Sequence, residues 1–133
     1  MKIAATCQNG GLDDIITPQF GRANVFTIVE FDGEIKSTEI VKNPAADLPS
    51  GAGITAAQLL IDKGVKVLLT GNVGPKAMDA LRAANIEIYR ADGMKVEDAI
   101  RKFAEGELEK ITAVSGGRGW GRGGGRGGRG RWR

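Results

Sequence analysis

Residues 65–81 read VKVLLTGNVGPKAMDAL, and the fold turns on how this stretch is read. Apart from Lys66, residues 65–70 are apolar or β-branched. Such a run predicts a strand buried on both faces, in the middle of a parallel sheet. From Pro75 the pattern becomes helical. Proline suits the first helical position, because the N–H it lacks has no intrahelical acceptor there. Between the two lies Gly71-Asn72-Val73-Gly74, a tight turn whose N–H groups can converge on an anion.

Upstream, Gly51-Ala52-Gly53 opens a helix that runs to about residue 63, with Ile54, Ala57, Leu60 and Ile61 at helical spacing. Gly64 is placed to stop it as a left-handed cap. Downstream, residues 86–90 predict a strand. Residues 95–104 predict a helix with Val96, Ala99, Ile100 and Phe103 on one face, and residues 107–113 a short extension of it. Earlier in the chain, residues 2–7 (KIAATC) and 24–32 (NVFTIVEFD) read as strands. Asp32-Gly33 is a hairpin turn signal, and it leads to a third strand at residues 34–42, whose incomplete alternation suits a sheet edge. The order β-β-β-α-β-α-β-α predicts an α/β fold. Its five-stranded mixed sheet has right-handed crossovers and helices on its faces.

The chain has 133 residues, enough for one domain with a substantial core. No apolar run approaches a membrane span and no signal peptide is legible, so a cytoplasmic protein without a membrane partner is expected. The single cysteine, Cys7, excludes an internal disulfide. Charge is unevenly placed. Of 19 basic residues, six are arginines in residues 116–133, which hold no acid; the remaining 13 face all 16 acidic residues. The body is therefore near −3, and any argument from basicity concerns the tail alone.

That tail reads GGRGWGRGGGRGGRGRWR, with ten glycines in eighteen residues. It cannot bury enough apolar surface to offset ordering, so residues 1–115 are expected to form the domain and 116–133 a disordered tail. Repeated Arg-Gly units with Trp120 and Trp132 suit single-stranded RNA or DNA. A solubility tail, or an arm that attracts an anionic ligand or an acidic partner, is the alternative.

In open α/β sheets ligands bind at the C-terminal ends of the parallel strands. Gly51-Ala52-Gly53 and the 71–74 turn are expected to open there, beside Cys7. Arg22 could add a charge-assisted contact to an anion. Each feature has a plainer reading. The glycines can simply make tight turns, and Arg22 can pair with Asp13, Asp14 or Glu30. Cys7 can be a small buried hydrophobe, or a thiolate ligand whose pKa nearby helix N-termini lower. Nuclease chemistry needs clustered carboxylates on central strands, and residues 2–7 and 65–70 have none. The chain has no histidine, and no Ser or Cys stands beside an evident base, so enzymatic activity is not expected.

The start KIAATC and the block TPQFGRANVFTIVEFD are followed by the Asn43-Pro44 loop, GAGITAAQLL, TGNVGPKAMDAL and IEIYRADGMKVEDAIRKFAEGEL. In that order, over about residues 1–111, they resemble the dinitrogenase iron–molybdenum cofactor-binding family. This family includes NifX-type proteins, the C-terminal domain of NifB and the molybdenum–copper orange protein. The resemblance implies a three-layer, ribonuclease-H-like fold. It also implies a small carrier or scaffold, acting as a monomer, for a preformed anionic iron–molybdenum or other Mo/Fe–sulfur cluster, with cofactor donor and acceptor proteins as partners. The implied site is Cys7 as the one soft ligand, Arg22 as an anion clamp, and Gly51, Ala52, Gly53, Gly71, Asn72, Val73 and Gly74 as backbone donors. Many members carry histidine before Phe-Gly-Arg and before Gly-Ala-Gly; here Gln19 and Ser50 stand there, so imidazole ligation is impossible.

Overall fold

Residues 65–70 form the fourth strand of a mixed sheet in the computed structural model, which describes residues 1–112. The elements in chain order are β1 (Lys2–Cys7), β2 (Val25–Phe31), β3 (Ile35–Lys42), α1 (Ala52–Asp62), β4 (Val65–Thr70), α2 (Pro75–Ala83), β5 (Glu87–Arg90), α3 (Val96–Ala104) and β6 (Glu109–Lys110). Strands are ordered β3-β2-β1-β4-β5-β6. β1, β4 and β5 run parallel, and β2 is antiparallel to both β1 and β3. β3 is therefore an edge, as its alternation predicts, and its residues 36–40 are exposed.

Alternation along the central strands separates two cores. Ala4, Leu68 and Ile88 pack with Phe26, Ala56, Ala57, Leu60, Met78 and Leu81, beneath α1 and α2. Ile3, Ala5, Cys7, Val67 and Leu69 pack on the other face with Val96, Ala99 and Ile100 of α3. Each fully buried Leu or Ile contributes about 1.5–3 kcal/mol, so β4, buried on both faces, ties the two helical layers to one sheet.

The expected helical extension at 107–113 is instead strand β6. Tyr89 pairs with Lys110 and Arg90 with Glu109, and the Ile111 N–H donates to the Ile88 carbonyl at 2.7 Å. Among the described residues the sheet thus has six strands rather than five. A two-residue strand is too short to show a period, and its pairing signal comes from β5, some twenty positions earlier. Gly33 (φ 76°) and Gly64 (φ 78°) adopt the left-handed conformation required at the hairpin and the helix stop. The domain boundary at 115 and the Arg/Gly tail lie outside the described residues.

Candidate functional site

α1, α2 and α3 each follow a strand whose C-terminal end lies at one rim of the sheet. On the α1/α2 side of that rim, segments 19–22, 51–54 and 72–77 enclose an open groove of about 750 Å³.

The segments meet through close backbone contacts. The Asn72 N–H donates to the Pro18 carbonyl at 2.5 Å, and the Phe20 N–H donates to the Asn72 carbonyl at 3.1 Å. This pairing lays residues 18–20 along the end of β4. It needs glycine at 71, where a Cβ would stand 2.8 Å from both Cα and O of Pro18. Phe20 is buried against Phe26 in the core. Gly21 then passes so close to α1 that a Cβ would lie 3.0 Å from the Gly53 nitrogen, while a Cβ on Gly53 would meet Ala77 at 3.1 Å. Small residues thus bring two helix N-termini side by side. Buried Asn43 braces the arrangement. Its Nδ2 donates to the carbonyls of Gly21 (3.1 Å) and Ala23 (2.8 Å), and its Oδ1 accepts from the Ala45 N–H (3.0 Å).

Neither α1 nor α2 has a side-chain N-cap or an acidic residue in its first turn. The first N–H groups of a helix have no intrahelical acceptor, so Ala52, Gly53 and Ile54 of α1 and Lys76 and Ala77 of α2 present donors to the groove. The helix dipoles add partial positive charge at the same place. Arg22 and Lys76 supply two cations, and among the described residues the lining contains no carboxylate. Lys76 is informative because the first turn of a helix disfavours positive charge. A cation there is a cost unless something negative faces it.

The structure therefore gathers Arg22, Gly51, Ala52, Gly53, Asn72, Val73 and Gly74 into one groove. At least two of the expected donor positions have other work. Gly71 is buried outside the lining and serves the close approach of Pro18, and the Asn72 N–H is spent on Pro18. Arg22 pairs with none of Asp13, Asp14 or Glu30. Its Nη1 donates to the carbonyls of Ala46 (3.0 Å) and Leu48 (2.5 Å), which straps the loop before α1 to the groove wall. Glu30 instead pairs with the N-terminal ammonium at 2.8 Å.

Cys7 does not join the groove. Its side chain belongs to the α3-side core and is fully buried, with the Thr27 hydroxyl donating to Sγ at 3.2 Å. Burial pushes its pKa up; the Thr27 hydrogen bond opposes this, and the nearby Asp14 carboxylate adds to it. The expected lowering of the thiol pKa is thus reversed, because Cys7 ends β1 facing the layer that lacks open helix N-termini. Among the described residues no three His, Cys, Asp or Glu side chains are grouped to hold a metal ion. The groove suits an anion as a whole rather than a metal centre ligated by protein.

Sequence reasoning missed Gln19, Gly21, Ile54 and Lys76. Lys76 had a signal in its unfavourable place at a helix start. Gln19 had one in its position before Phe-Gly-Arg. Gly21 had none, since its contact is with a residue 32 positions away. No helix among the described residues is long and apolar enough to cross a membrane.

Comparison with known proteins follows the same residues. Protein MJ0580 of Methanocaldococcus jannaschii is 40% identical over 112 residues, covering 84% of this chain and 92% of its own. The apo form of the orange protein from Desulfovibrio gigas superposes with a TM-score of 0.77 at 42% identity, over 83% of this chain and 92% of that one. The NMR structure of TM1290 from Thermotoga gives a TM-score of 0.74 at 33% identity, over 88% and 98%. The family described as "Dinitrogenase iron-molybdenum cofactor" matches residues 1–106, and the chain belongs to that family.

Proposed function

We propose that this protein is a non-enzymatic carrier or scaffold that holds a preformed, anionic metal–sulfur cluster as cargo in the α1/α2 groove. One observation carries the reading: two uncapped helix N-termini and two cations face a single groove whose lining, among the described residues, has no carboxylate. The cargo, iron–molybdenum or another Mo- or Fe-containing cluster, keeps its own ligands. Its outer sulfide or oxide atoms accept hydrogen bonds from the first-turn N–H groups, with Lys76 and Arg22 balancing charge. An open groove without protein–metal bonds suits a molecule that receives cargo from one protein and hands it to another. We read the order β3-β2-β1-β4-β5 as ribonuclease-H-like. β1 and β4 carry no carboxylate, so the acidic cluster that a metal-dependent nuclease would need is missing from its place.

The test uses full-length protein under anaerobic conditions with tetrathiomolybdate as the probe, reading bound molybdenum and the visible spectrum after desalting. Ile54→Asp places a negative charge in the open first turn of α1 at a side chain 44% exposed. A carboxylate there is neutral to favourable for folding, by up to about 1 kcal/mol, yet it opposes an anion. We expect wild type to retain the probe, and Ile54→Asp and Lys76→Glu each to retain it at least about tenfold more weakly, equivalent to about 1.4 kcal/mol. Equal retention by all three proteins would sink the groove as the binding site.

A further inference from the structure

We propose that Arg22 couples occupancy of the groove to the order of residues 44–50. An anion bound in the groove tightens a strap that is loose in the empty protein, so this surface segment shows a partner protein whether cargo is present. The inference rests on the cargo reading above and names how that site is regulated.

Segments 21–23 and 43–48 clasp each other in both directions. Asn43 Nδ2 donates to the carbonyls of Gly21 and Ala23, one residue either side of Arg22. Arg22 Nη1 reaches back to the carbonyls of Ala46 and Leu48. The two halves of the clasp differ in burial. Asn43 is 2% exposed, and a buried amide whose hydrogen bonds are made is costly to undo. It fixes the backbone around residue 22 and fully buried Ala45 whatever the groove contains. Arg22 is exposed. Water competes for its hydrogen bonds, and holding a long side chain in one rotamer costs entropy. The arginine half of the clasp is therefore the adjustable one.

Arg22 belongs to two places at once. It lines the groove, and none of residues 43–50 does. Among the described residues no carboxylate pairs with Arg22, and only its Nη1 donates a hydrogen bond. Nε and Nη2 are the donors left for an anion. The guanidinium is a rigid plane, so fixing one edge on an anion fixes the other edge as well. The anion thereby supplies the ordering that the strap lacks on its own. Beyond Ala45 the segment has few other ties. The Ala46 N–H donates to the Asn43 carbonyl at 3.3 Å and the Leu48 N–H to the Ala45 carbonyl at 3.1 Å, and the Leu48 side chain packs, half-buried, on the core. Pro44 and Pro49 restrict the chain at its two ends, which leaves a stretch short enough for two hydrogen bonds to decide. Coupling between two sites is reciprocal. An acceptor protein that draws residues 46–48 away also takes Arg22 off the cargo.

The experiment is hydrogen–deuterium exchange of full-length protein under anaerobic conditions, with and without tetrathiomolybdate, compared at matched occupancy. In wild type the amides of residues 45–48 and 50 should exchange at least about fivefold more slowly when the probe is bound, although they lie outside the lining. Arg22→Lys keeps the charge but not the two-edged plane, and it should lose that slowing. Leu48→Ala changes no atom of the lining. It should raise the apparent Kd for the probe about threefold, the effect of cutting the strapped fraction to about one third. Retention by wild type with unchanged exchange at these amides overturns the coupling and leaves the groove reading standing. Equal slowing in Arg22→Lys, or unchanged retention in Leu48→Ala, overturns the coupling in the same way. Failure of wild type to retain the probe overturns both readings.

Discussion

All three helices start at the same rim of the sheet, yet their first turns are treated in opposite ways. At α3 the chain closes its own helix end. The Val96 N–H donates to the Asp14 carbonyl and the Glu97 N–H to the Leu12 carbonyl, both at 3.0 Å. Glu97 and Asp98 then place negative charge on the dipole. At α1 and α2 there is no side-chain cap, no first-turn acid, and two cations nearby. Equivalent backbone donors are used up on one face and held open on the other. A helix start at a sheet rim is therefore not yet a site; it becomes one where the loop that could plug it is drawn elsewhere. Here the plug for α3 is the 8–16 loop. The corresponding segment on the other face, residues 18–22, is pulled against β4 and Gly53 and leaves both N-termini facing space.

The comparison can be broken most severely at Gly71, which sits where the chain passes from one side to the other. A methyl group there meets Pro18 backbone at 2.8 Å and the Asp92 carboxyl carbon at 2.9 Å. Gly71→Ala should cost at least about 2 kcal/mol, seen as a lower urea midpoint. It should also weaken tetrathiomolybdate retention, because the Pro18–Asn72 pairing that frames the groove is displaced.

The closed side has its own dependence, on Asp14. Its carboxylate accepts from the N–H groups of Asn9 (2.9 Å), Gly10 (2.8 Å) and Ile15 (2.9 Å). Partial burial pushes its pKa up, but these backbone donors outweigh that and hold it below the usual carboxylate range. The folded pKa is the lower one, so its contribution is complete above the unfolded value of about 3.9 and fades as pH falls through the folded value. Asp14→Asn should cost about 1 kcal/mol at pH 7, allowing for solvent screening, and the gap to wild type should close as the pH is lowered towards 2. A constant gap across that range would remove the charge from the explanation.

The smallest effects sharpen the contrast by their size. Glu97→Gln acts at the closed helix end and should leave tetrathiomolybdate retention unchanged, where Ile54→Asp at the open end should not. Cys7→Ser should also retain the probe like wild type, since Sγ lies in the α3-side core. In the native protein this thiol should react with an aromatic disulfide reagent far more slowly than in urea. Loss of the probe in Cys7→Ser, with the fold intact, would return the sulfur to the site.

Much of the architecture was legible because it rests on local patterns. The buried run at 65–70, the Pro75 helix start, the Asp32-Gly33 turn and the Gly64 stop need no distant partner to be read, and the structure has each of them. The edge position of β3 followed from its poor alternation. β6 was missed because two residues cannot establish a period. The groove was half legible. Uncapped glycine starts can be seen in a sequence, whereas Gly21 against Gly53, the Pro18–Asn72 pairing and the strap from Arg22 to the 46–48 carbonyls join residues far apart in the chain.

Amino-acid order alone settled the succession of strands and helices from β1 to α3, the lack of imidazole and of a second thiol, and the segregation of excess positive charge into the last eighteen residues. These follow from residue identity and short-range periodicity. Only the packed chain decided which backbone donors remain open and which face of the sheet receives Cys7. A hydrogen-bond donor is available or spent according to what lies within about 3 Å of it, and in this protein those neighbours are brought there by contacts across the whole length of the domain.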